Sequence, residues 1–126
     1  MFQTGDKIIT SPVLKLYREK RAVILEKMET LAKKRREKQP LDKPSAGSTF
    51  KRPKEGYAAQ MIDEAGLRGY RIGDAAVSEK HAGFVVNLGA ASAKDVRLLM
   101  EHIQNTVLKT HGVLLEPEIR FVGEFL

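Results

Sequence analysis

Residues 92–112 constrain the fold of this chain more than any other stretch. Ser92 stands before an apolar-periodic run and Asp95 follows three residues later, a capping-box-like signature of a helix start. Val96, Leu99, Ile103 and Val107 then recur at helical spacing on one face, and Gly112 closes the helix. A helix with such a stripe buries it against another element. Phe84-Val85-Val86-Asn87-Leu88 reads as a largely buried strand, with a shorter strand around residues 75–77. Ser78, Glu79, Lys80 and His81 form a polar connection between them, which predicts a hairpin or a wider pairing.

The remaining segments alternate in type. Residues 7–16, KIITSPVLKL, read as one or two short strands interrupted by Pro12. From about Glu19 to Arg36 the pattern is helical, with Ile24, Met28 and Leu31 in phase and Lys33, Lys34, Arg35 and Arg36 in the last turn, where the helix dipole favours cations. Pro40, Pro44 and Pro53 break residues 37–54, which predicts a long loop with no regular element. A short helix is expected from about Gly56 to Ala65, carrying Ala58, Met61, Ile62 and Ala65 on one side, with Gly66 as a left-handed cap. Residues 113–122, VLLEPEIRFV, supply a final strand that places Glu118 and Arg120 on one side. This mixed order argues for an α+β domain with helices covering one face of a sheet.

Composition narrows the class. The chain has 126 residues, 42% hydrophobic and 30% charged, enough apolar material for one core. It has no cysteine, which excludes disulfides and thiolate metal sites, and no signal-peptide pattern at the start. A soluble, cytoplasmic protein is the expectation. The net charge of +6 is concentrated: residues 15–54 hold 14 of the 22 Lys and Arg but only 5 of the 16 acids. Such an excess either forms a solvated face or attracts an anion such as nucleic acid, an acidic membrane or a phosphorylated small molecule.

Few side chains carry recognisable chemistry. His81, His102 and His111 lack metal-ligand spacing, so no metal is expected. Walker and dinucleotide-binding glycine patterns are absent, so neither a flavin nor a nicotinamide is expected to bind this chain unaided. Ser48, in AGSTF, either caps a backbone turn or donates a proton. Glu118 and Arg120 form either a solvent-facing pair or part of a site for an anion or enolate.

Three motifs in order, PSAGSTFKRP, GYRIGDAAVSEKHAGFVVN and LEPEIRFVG, together resemble the third domain of the UDP-N-acetylenolpyruvoylglucosamine reductase (MurB) family over about residues 36–123. The resemblance implies a small, mostly antiparallel sheet with helices on one face. It divides the chain into residues 1–17, a remnant of the last flavin-domain strand, and residues 18–126, a C-terminal substrate-binding domain. It implies reduction of a UDP-sugar enolpyruvyl ether to UDP-N-acetylmuramate for peptidoglycan, with FAD and NADPH. Ser48 matches the serine that protonates the substrate, and Glu118 matches the catalytic glutamate. Lys38 and Arg52 match positions contacting the diphosphate, Arg52 replacing an asparagine of some members. Lys80 and His81 lie in a segment near the nucleotide.

The family places two flavin-binding domains ahead of this region, and a tyrosine and an arginine just before the position of Phe2. The chain is therefore expected to bind no cofactor itself and to reduce nothing alone, with a UDP-sugar as its partner. The alternative is a stand-alone UDP-sugar-binding or regulatory module, against which the intact Ser48 and Glu118 argue. A nucleic-acid partner lacks interleaved aromatics, and a membrane partner lacks an apolar span.

Overall fold

The structure, a computed structural model, describes residues 10–123. Its elements are α1 (Arg21–Lys38), β1 (Ser45–Ser48), α2 (Ala58–Glu64), β2 (Arg71–Ile72), β3 (Ala75–Val77), β4 (Phe84–Asn87) and α3 (Ala93–His111). The chain divides into two compact units, Met1–Ala32 and Lys33–Leu126.

In the first unit, residues 10–20 form no strand, contrary to the strands expected over 7–16. Pro12 withholds a donor, and these residues are all exposed, with no strand partner among the described residues. Residues 7–9 lie outside the described residues. The helix expected from Glu19 forms as α1, but none of its residues is buried, and Met28 and Leu31 are 59% and 66% exposed.

The second unit is an α+β fold. Its four strands form one sheet in the order β1-β4-β3-β2, every pairing antiparallel. Helix α3 packs on β2, β3 and α2. The capping box holds: Ser92 Oγ accepts from the Asp95 amide, and Asp95 Oδ2 accepts from the Ser92 amide at 2.8 Å. Gly112 ends the helix in the left-handed region. Leu99, Met100, Ile103 and Val107 are fully buried against Ala75, Val77, Val85, Ile62 and Leu115. The strands' alternate residues, Ala76, Phe84 and Val86, form a second buried cluster, as period-two geometry requires.

Two expectations change in this unit, and one hairpin is added to them. Residues 37–54 are not all loop, because Ser45–Ser48 add an edge strand to β4, with a bulge between the Ser45↔Val86 and Ser48↔Phe84 pairs. The small residues there carry no propensity signal, and the strand is held by the neighbour it pairs with. The hairpin over 71–76 was not foreseen. Its two-residue Gly73-Asp74 turn has a positive φ of 55° at Gly73 alone, which suits a turn with glycine first. Conversely, residues 113–122 form no strand, only an isolated bridge between Pro117 and Phe50, because a central proline cannot donate to a ladder.

Candidate active site

The site grows from residues 48–52, which run between two other segments. On one side Ser48 pairs with Phe84, the Thr49 amide donates to Gly83 O, and buried Thr49 Oγ1 accepts from the Val85 amide at 2.9 Å. On the other side the Lys51 amide donates to Glu116 O at 2.8 Å, and the Glu118 amide donates to Thr49 O at 2.9 Å. Phe50, 5% exposed, anchors the strip in the core. Ser48 and Glu118, distant in sequence, are thus brought beside each other by the two faces of one residue, Thr49.

The next wall is the β3–β4 turn. Buried Ser78 accepts from the amides of Lys80 and His81 through its hydroxyl oxygen, which shapes the turn. His81 Nδ1 accepts from the Gly83 amide at 3.1 Å, so the neutral imidazole carries its proton on Nε2 as a donor. The ring meets Phe84 edge-on at 5.0 Å between centroids. A Cβ on Gly83 would stand 3.0 Å from His81 Cε1 and 3.2 Å from the Ala59 Cβ, so glycine is what lets the imidazole lie this close to the backbone.

Ser48, Arg52, His81 and Glu118 line one open concavity of about 520 Å³, together with Phe50 and Tyr57. Four of the six residues singled out in the sequence therefore meet. The other two do not line it: Lys38 is exposed in the last turn of α1, and Lys80 Nζ donates to Arg36 O at 2.6 Å. Among the described residues, no partner occupies the Ser48 hydroxyl or the Glu118 carboxylate, and the Arg52 guanidinium has no carboxylate, its contact being the ring of Tyr57. Lys51 beside it is neutralised by Glu116. Thr49 and Tyr57 are the residues that sequence reasoning passed over. Tyr57 left one signal, an aromatic residue at the N-cap of α2, where Ser, Thr, Asp or Asn is preferred.

Among the described residues no three His, Asp or Glu side chains gather to hold a metal ion, and no helix is long and apolar enough to cross a membrane. A hydroxyl, an imidazole, a carboxylate and a guanidinium without a carboxylate partner among the described residues line one cleft, which gives the domain a positive hydrogen-bond donor and acid–base groups side by side. Comparison with known proteins names its kin. Residues 39–122 match the family model of the UDP-N-acetylenolpyruvoylglucosamine reductase C-terminal domain, and the chain belongs to that family. It is 58% identical over 101 residues to the UDP-N-acetylenolpyruvoylglucosamine reductase of Caldicellulosiruptor bescii, covering 80% of this chain and 32% of that one. Against the enzyme of the same name from Caldanaerobacter subterraneus subsp. tengcongensis the identity is 51% over 124 residues, 98% of this chain and 41% of the other. The crystal structure of UDP-N-acetylenolpyruvylglucosamine reductase (MurB) from Thermus caldophilus is similar with a TM-score of 0.71 at 40% identity, covering 84% of this chain and 37% of that one. The chain thus spans about a third to two fifths of the length of these relatives.

Proposed function

We propose that this chain is the substrate-binding and proton-donating part of a UDP-N-acetylenolpyruvoylglucosamine reductase, acting in the formation of UDP-N-acetylmuramate. The observation that carries the reading is the meeting of Ser48 and Glu118 at one concavity with Arg52 and His81. In this reading Arg52 binds the diphosphate of the sugar nucleotide through paired N–H donors. Ser48 gives its hydroxyl proton to the substrate carbon as the enolpyruvyl double bond is reduced. A serine hydroxyl is a weak acid, so its proton transfer needs stabilisation of the charge that develops on the enol side. The Nε2 donor of His81 and, in its carboxylic-acid form, Glu118 are the groups at hand for that task. The exposed cations Lys38 and Lys80 add to a positive approach for the diphosphate rather than to the cleft wall, and a cytoplasmic setting follows from the substrate.

The relatives are reductases by name, and the family resemblance implies FAD and NADPH. The described residues do not fit either group: no glycine-rich phosphate loop leads into α2 or α3, which begin at Tyr57-Ala58 and Ser92-Ala93. We therefore assign hydride supply to polypeptide outside this chain and give this chain alone no turnover.

An NMR titration with UDP-N-acetylenolpyruvoylglucosamine at low salt tests the reading. Amide shifts gathered at residues 48–52, 81–83 and 116–120, absent in Ser48→Ala/Arg52→Gln chains or with short duplex DNA as ligand, are the expected result. Binding of duplex DNA in place of the sugar nucleotide, with steep salt dependence, would replace it with a nucleic-acid function.

A further inference from the structure

Tyr57 has no place in the chemistry above, yet it is set against that site in an unusual way. It is the N-cap of α2, in extended backbone (φ −136°, ψ 131°), and makes no side-chain capping bond. A residue chosen for the cap alone would be Ser, Thr, Asp or Asn. Instead the tyrosine ring, 56% exposed, lies under the guanidinium of Arg52, whose Cζ is 4.2 Å from the ring centroid. That contact matters because Arg52 borders two adjoining concavities. One, of about 520 Å³, holds Ser48, His81 and Glu118. The other, of about 490 Å³, is walled by Lys51, Lys54 and Glu116. Tyr57 lines only the first. An arginine without a carboxylate partner carries large rotamer freedom, and the face of an aromatic ring restricts it without neutralising its charge or using its N–H donors.

We propose that Tyr57 is a positioning residue for Arg52, holding the guanidinium in the Ser48–Glu118 cleft so that its donors meet the diphosphate of a nucleotide sugar. The inference rests on the reading of that cleft as a UDP-sugar site. What Tyr57 supplies is the ring face. Its hydroxyl is dispensable, and its effect passes through Arg52.

The test uses the full chain, uridine diphosphate and inorganic pyrophosphate as probes, and four variants: Tyr57→Phe, Tyr57→Leu, Arg52→Gln and the Tyr57→Leu/Arg52→Gln pair. Tyr57→Phe should bind uridine diphosphate within about twofold of the wild type, and Tyr57→Leu about three- to fivefold more weakly, the scale of an exposed cation–π contact. The double variant should bind no more weakly than Arg52→Gln alone, because the two residues act as one unit. Pyrophosphate should follow the same order. The ring-current shift on the Arg52 side-chain protons should persist in Tyr57→Phe and vanish in Tyr57→Leu. Wild-type affinity in Tyr57→Leu, additive losses in the double variant, or equal losses in Tyr57→Phe and Tyr57→Leu would each overturn this role while leaving the cleft's assignment standing. Uridine diphosphate that moves none of the Ser48, His81 and Glu118 amides of the wild type would overturn the assignment of the cleft, and this role with it.

Discussion

Thr49 is the residue on which the site's geometry turns. Its buried hydroxyl satisfies the Val85 amide at 2.9 Å while its carbonyl receives the Glu118 amide. Thr49→Val keeps the shape and removes the acceptor, leaving a buried N–H unpaired at a cost of about 1–3 kcal/mol. We expect a denaturation midpoint lowered accordingly, and amide shifts that reach Ser48 on one side and Glu118 on the other. A variant as stable as the wild type would show that water or a neighbouring group replaces the hydroxyl. Ser48, Arg52, His81 and Glu118 could be singled out in the sequence because motifs carry them. Thr49 and Tyr57 could not, since a hydroxyl's acceptor role and a ring's place beneath a cation come from residues remote in the chain.

At the scale of elements, the hairpin β2–β3 and the start of α3 form one joint. Asp74 at the hairpin tip accepts from the Ala90 amide at 2.9 Å, and its carbonyl takes the Leu88 amide at 2.8 Å. A Cβ on Gly73 would stand 2.8 Å from Cγ of Asp95, the carboxylate that closes the capping box. Gly73→Ala therefore strains a left-handed backbone and displaces the cap together, whereas Ser92→Ala removes one capping bond and costs about 1 kcal/mol. Thermal melts should rank Gly73→Ala as the more damaging change, and the reverse order would uncouple hairpin and helix. Helix α3 was legible because its cap, stripe and terminating glycine are all local signals. Strand β1 was not: Ser-Ala-Gly-Ser becomes a strand only because β4 offers it an edge. The last segment misled in the opposite sense, since its alternating apolar pattern suggested a strand that Pro117 interrupts.

For the whole molecule, acid is the condition to which these contacts are most sensitive. The Arg68 guanidinium holds Asp63 below its ordinary range, the Ser92 amide and hydroxyl do the same for Asp95, and Gln60 with His111 lower Glu64. A carboxyl lowered in the folded state stabilises above its unfolded pKa and loses that contribution as pH falls through the folded value. Melting temperature should therefore hold from neutral pH down to the ordinary carboxylate range of about 4 and decline below it. Asp95→Asn should lessen that decline, and an unchanged acid slope would remove Asp95 from the account. The pairing of Glu118 with Thr49 also sets an order of events during synthesis. Once α3 has emerged, strands and helices can already settle, but the Glu118 carboxylate has not been made. The hydroxyl side of the cleft waits for the segment that carries Glu118 to emerge, so a nascent chain that has not reached it presents half a site.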